Sequence, residues 1–141
     1  MARQTLVLDA SIGVKWFSDK GESSLEKALA IREDHIAMRT RIVVPDLFYY
    51  EVSNAIVQKK FIPTGVIQSV VAQMFALRLL TIPMNADLLA NSIEISRQFN
   101  ITVYDSSYIA IARSYNCPLI TANPRHQKKS LACPVITLED Q

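Results

Sequence analysis

Leu6-Val7-Leu8-Asp9-Ala10-Ser11 decides how this chain is read. Three consecutive apolar residues suit a strand covered on both faces, as in a parallel sheet between helix layers. An aspartate stands where that strand ends, and Asp9 is placed to cap a short helix beginning near Ser11.

On either side of this stretch, short β-rich runs alternate with helical ones. Arg41–Val44, Leu79–Pro83, Pro118–Thr121 and Pro134–Thr137 read as four further strands. Ser23 and Glu26 have the spacing of a capping box for a helix from about Ser24 to Met38. Pro45 is expected in the first turn of the next helix, whose apolar face carries Phe48, Val52, Ala55 and Ile56. Pro63 opens another, Asn85 is the N-cap of a third, and Thr102 with Asp105 introduces an apolar helix through Ile109 and Ile111. The expected fold is α/β: a three-layer α/β/α sandwich with a central parallel sheet, one domain over residues 1–141.

Composition narrows the classes. In 141 residues, half hydrophobic and a fifth charged, there is material for one core and little resemblance to a disordered or fibrous chain. Fifteen basic against thirteen acidic residues leave +2, too little for nucleic-acid binding by bulk charge, so such binding has to be local. Asp9 interrupts the apolar N-terminus before a signal-peptide core forms, and the longest uncharged stretch, between Lys60 and Arg78, is short for a membrane span. A cytoplasmic, membrane-free protein is expected. Cys117 and Cys133 each precede a Pro-x-Ile-Thr strand; in-register pairing would bring the sulfurs together, but two reduced thiols are the preferred reading.

In such sheets ligands gather beyond the carboxyl ends of the strands. Asp9 follows the first strand, Asp46 and Glu51 the second, Asn123 the fourth, and Asp105 opens a helix. Carboxylates without His or Cys suit a hard cation such as Mg²⁺ or Mn²⁺, which acidifies bound water and neutralises charge on a phosphoryl group. No acid lies between Asp105 and Glu139, while Arg125, Lys128 and Lys129 do, a set suited to phosphate contacts. Each residue also has a structural reading: Asp9 and Asp105 as caps, Glu51 as a surface acid, the basic run as a solvated face. Adhesion-type metal motifs fail at Gly13, haloacid-dehalogenase phosphatases at Ser11, and Gly-rich phosphate loops for want of glycines.

Together, Val7-Leu-Asp9-Ala-Ser11, Pro45-Asp-Leu-Phe-Tyr-Tyr-Glu51-Val-Ser-Asn54-Ala-Ile, Tyr104-Asp105-Ser-Ser-Tyr-Ile-Ala110-Ile-Ala and Leu119-Ile-Thr121-Ala-Asn123 resemble the PIN-domain family, and within it the VapC toxins of toxin–antitoxin pairs. The resemblance runs from Leu6 to Thr137. It implies a Mg²⁺- or Mn²⁺-dependent endoribonuclease with Asp9, Glu51 and Asp105 catalytic, Asp9, Asp105 and Asn123 toward the metal, and Ser11, Asn54 and Thr121 as supporting polar groups. It also implies an RNA substrate, a cognate antitoxin and a homodimer. Asn123 departs from the pattern, because many members carry a fourth aspartate there. Losing one charge about 4 Å from another costs about 1 kcal/mol in water and about 4 kcal/mol at an effective dielectric of 20. The alternative is therefore a PIN-fold module that binds RNA or antitoxin with weak or lost catalysis. The charge-free helix after Pro63 is expected to bury its broad apolar face, Val66 to Leu77, in the core, with a dimer interface as the second reading.

Overall fold

The computed structural model describes residues 3–122 and 134–137. The order is β1 (Gln4–Leu8), α1 (Ala10–Phe17), α2 (Leu25–Ile36), β2 (Thr40–Pro45), α3 (Leu47–Val57), α4 (Thr64–Ala76), β3 (Leu80–Ile82), α5 (Ala86–Phe99), α6 (Val103–Ser114), β4 (Leu119–Thr121) and β5 (Val135–Thr137). All strand pairs are parallel, in the spatial order β3-β2-β1-β4-β5. Helices on both faces complete the three-layer α/β/α sandwich expected from the apolar runs. Among the described residues no helix is long and apolar enough to cross a membrane.

The core explains those runs. Leu6, Val7 and Leu8 of β1, Ile42, Val43 and Val44 of β2, and Leu119 and Ile120 of β4 are all buried, so neighbouring residues on opposite faces are both apolar. Phe48, Val52 and Ile56 of α3 and Ile109 and Ile111 of α6 bury the helical side, and the Trp16 indole donates to the Ala28 carbonyl at 2.8 Å to join α1 to α2. Thr102 accepts from the Asp105 amide and Asn85 from the Leu88 amide, two of the caps expected from sequence. The β4–β5 register pairs Leu119 with Val135, the same offset that separates Cys117 from Cys133. Cys117 is a buried free thiol, and Cys133 lies outside the described residues.

Three local expectations are corrected. The Ser23–Glu26 capping box does not form: the α2 N-cap is Ser24, in the left-handed region with φ of 54° and no side-chain cap. Tertiary ties replace it, because Lys15 Nζ donates to the Ser23 carbonyl at 2.7 Å and shares Glu22 with Lys59. Pro45 ends β2 rather than opening α3, paired with Ile82 and beyond the stretch of β2 registered with β1, where its missing N–H breaks no ladder. The broad apolar face of α4 is not core throughout: Val70 and Met74 are buried against α3, while Val66 and Phe75 are half or more exposed. Phe75 instead stacks on Tyr49 with ring centroids 4.7 Å apart.

Gly13 sits inside α1, where helix propensity favours alanine by about 1 kcal/mol. A methyl there would lie 2.6 Å from Phe48 Cζ and 2.8 Å from Val52 Cγ2, both on fully buried side chains. Gly13→Ala is therefore expected to destabilise the protein by about 1–3 kcal/mol, read from urea unfolding; a neutral or stabilising result would contradict this packing of α1 on α3.

Candidate active site

The strand order reverses between β1 and β4, since β2 and β3 extend to one side of β1 and β4 and β5 to the other. The carboxyl ends of β1 and β4 thus flank a topological switch point, where loops part and leave a crevice. Asp9 is the first residue beyond β1, and its backbone amide still pairs with the Ile120 carbonyl at 3.0 Å. As N-cap of α1, it accepts from the Ser11 amide at 3.1 Å through Oδ2. The buried Thr121 hydroxyl donates to the same oxygen at 3.3 Å. Ser11 Oγ accepts from the Ala122 amide at 3.0 Å and lies 3.4 Å from Thr121 Oγ1. Ser11 and Thr121 thus tie the end of β4 to the start of α1 and fix the Asp9 carboxylate between them.

Two helices bring the other acids to this end. The chain leaves β2 directly into α3, so the helix starts at the carboxyl edge of the sheet, with Glu51 in its second turn. α6 leads into parallel β4 and so runs back down the sheet, which puts its first turn, with Asp105, at the same edge. Tyr108, one turn beyond Asp105 and fully buried, donates its hydroxyl to Glu51 Oε1 at 2.6 Å. Burial pushes the Glu51 carboxyl above its ordinary range; the Tyr108 hydrogen bond pulls it back, and the negative charges of Asp9 and Asp105 push it up again. Burial, then Glu51 and Asp9, likewise hold the Tyr108 phenol well above its usual value, so it acts as a donor. Glu51 therefore feels the charges of both Asp9 and Asp105, although sequence separates them widely.

Asn54 is exposed one turn beyond Glu51, and among the described residues its side chain makes no hydrogen bond to the acids. Asp46 is not part of the group; its Oδ2 accepts from the Met84 amide at 3.2 Å and ties β2 to the segment before α5. Asn123, Arg125, Lys128 and Lys129 lie outside the described residues. Tyr108 is the residue that sequence reading passed over. Its signal was a phenol in the otherwise apolar run Ile109-Ala-Ile-Ala of a buried helix, where a hydroxyl needs an acceptor.

The donor set is oxygen only, as a hard dication requires, and a cation would relieve the repulsion that raises Glu51. Among the described residues no three acidic, His or Cys side chains close on one point as a ready-made cage.

The chain matches the PIN domain family over residues 6–130 and belongs to it. Its fold is that of the VapC-like toxins. It is similar to VapBC2 from Rickettsia felis bound to a promoter DNA fragment, at 19% identity over 95% of this chain and 98% of that one, with a TM-score of 0.69. A toxin–antitoxin complex from Klebsiella pneumoniae matches at 19% identity over 94% and 97%, TM-score 0.67. VapC20 from Mycobacterium tuberculosis, a Sarcin-Ricin loop cleaving toxin, matches at 12% over 83% and 87%, TM-score 0.63. No curated protein matches the chain in sequence.

A carboxyl whose pKa is raised by folding binds more protons in the native than in the unfolded state, so stability falls as pH rises between the two values. Glu51→Gln removes that loss while keeping an oxygen for Tyr108. The variant is expected to be more stable than wild type at pH 7 in EDTA, with the gain vanishing near pH 4, about the unfolded carboxyl pKa. Urea unfolding at both pH values measures it, and an equal difference at both would show that ionisation of Glu51 carries no cost.

Proposed function

We propose that this protein is a Mg²⁺- or Mn²⁺-dependent endoribonuclease acting in the cytoplasm as the toxin of a toxin–antitoxin pair. PIN domains are generally nucleases, which supports the reaction class; the observation that carries the reading here is a partly buried Glu51 carboxyl at the switch point, raised by burial and by the charges of Asp9 and Asp105. Holding a carboxyl at elevated pKa among other carboxylates costs stability without serving the core, and such clusters concentrate where chemistry is done. Asp9 and Asp105 would hold the cation, with Asn123 as a neutral oxygen ligand. When bound, the ion lowers the pKa of coordinated water and offsets charge on the phosphoryl oxygens.

Glu51 would orient water and take its proton as the water oxygen bonds to phosphorus. The bond from phosphorus to the 3′-oxygen then breaks, and solvent protonates that oxygen. The products are a 5′-phosphate and a 3′-hydroxyl. Ser11 and Thr121 keep Asp9 aimed, and Arg125, Lys128 and Lys129 would contact the RNA backbone. The Rickettsia and Klebsiella structures are toxin–antitoxin assemblies, which supports a cognate antitoxin as partner.

Cleavage of single-stranded RNA should appear with Mn²⁺ or Mg²⁺, stop with EDTA, and fall at least about a hundredfold in Asp9→Asn, a loss of the size expected when a metal-held step is disabled. Metal-independent cleavage that survives Asp9→Asn would sink this mechanism. A homodimer is proposed from the exposed apolar residues Val66 and Phe75 of α4 together with Phe61 before it. Light scattering at micromolar concentration should give twice the chain mass, and a monomer would dismiss it.

A further inference from the structure

Burial alone would require only that the Tyr108 hydroxyl find some acceptor, and a backbone carbonyl would serve. It reaches instead from α6 across to α3 and takes Glu51 Oε1 at 2.6 Å, the short distance of a hydrogen bond to an ionised carboxylate. Among the described residues this is the hydrogen bond that Glu51's carboxylate makes. One oxygen is thereby held, and the other makes no hydrogen bond among the described residues. Tyr108 and Asp105, three positions apart on α6, lie on one side of that helix, so a single element presents an acid to the site and the clamp for another acid. Glu51 has three rotatable bonds and would otherwise turn away from Asp9 and Asp105, whose charges repel it.

Building on the nuclease reading above, we propose that Tyr108 is a positioning residue of the site: its hydroxyl clamps one oxygen of Glu51 and aims the other at the attacking water. The clamp acts against the repulsion that Asp9 and Asp105 exert, and does so without a second positive charge that would compete with the cation.

Tyr108→Phe keeps the ring and its packing and deletes the clamp. In full-length protein with Mn²⁺, kcat on single-stranded RNA should fall about tenfold with KM within twofold of wild type. The acid limb of the kcat–pH profile should move to higher pH, because the hydrogen bond lowers the Glu51 pKa while burial, Asp9 and Asp105 raise it. In the metal-free protein, the Glu51 side-chain carboxyl carbon, followed by NMR, should titrate at higher pH in the variant. In wild type the Tyr108 hydroxyl proton should resonate far downfield at neutral pH and lose that position in Glu51→Ala, a reading that does not depend on folding of the Tyr108 variant. Unchanged kcat with an unmoved Glu51 titration would overturn the proposal, as would a loss of kcat matched by an equal rise in KM with no pH shift. If wild type does not cleave RNA, the nuclease reading falls, and the two NMR measurements still decide whether the clamp exists.

Discussion

Oδ2 of Asp9 accepts from the Ser11 amide and from the Thr121 hydroxyl, and Ser11 in turn accepts from the Ala122 amide. These bonds join the start of α1 to the end of β4 across the gap where the sheet changes direction. Without them the crevice would be a seam between two loops. With them, a buried carboxylate is fixed where strand topology already opens a place for a ligand. The other acids are arranged around that point, Glu51 from α3 and Asp105 from α6, each delivered by a helix that begins at the same edge of the sheet.

The cost of this arrangement is visible in Glu51. Its carboxyl is partly desolvated and repelled by two neighbours, and a single phenol offsets part of that. A fold selected for stability alone would replace such a group with an amide or an apolar side chain, since buried charge without a partner is destabilising. The rigid surroundings are what hold it in place. Phe48 and Val52, on either side of Glu51 in α3, are fully buried against Gly13 of α1, so the helix that carries the acid cannot easily shift away from the one that Asp9 caps.

Much of this was legible beforehand. The apolar runs ending in Leu8, Val44 and Ile120 could only be strands covered on both faces, and Asn85 and Thr102 marked helix starts by local chemistry that the structure keeps. Local rules failed where distant contacts outbid them. Ser23 has the sequence of a cap, yet Lys15 claims its carbonyl; Pro45 looks like a first helical turn, yet Ile82 pairs with it as strand. The apolar face of α4 misled for a related reason. Periodicity reports that a face is apolar but not how much of it another element covers, and α3 covers only the part at Val70 and Met74.

The fold class and the candidate acids are legible in the chain, because hydrophobic periodicity, Asp9 and Asp105 at helix starts and Glu51 one turn into the helix after a strand are local properties. The surroundings of each acid, by contrast, exist only once the chain is folded. Asp9 depends on Thr121, more than a hundred positions away, and Glu51 on Tyr108 across two helices. Such pairings follow from the strand order and from the start of both α3 and α6 at the carboxyl edge of the sheet. A short side chain has no signature in sequence for a partner that only the closed sheet brings within hydrogen-bonding distance.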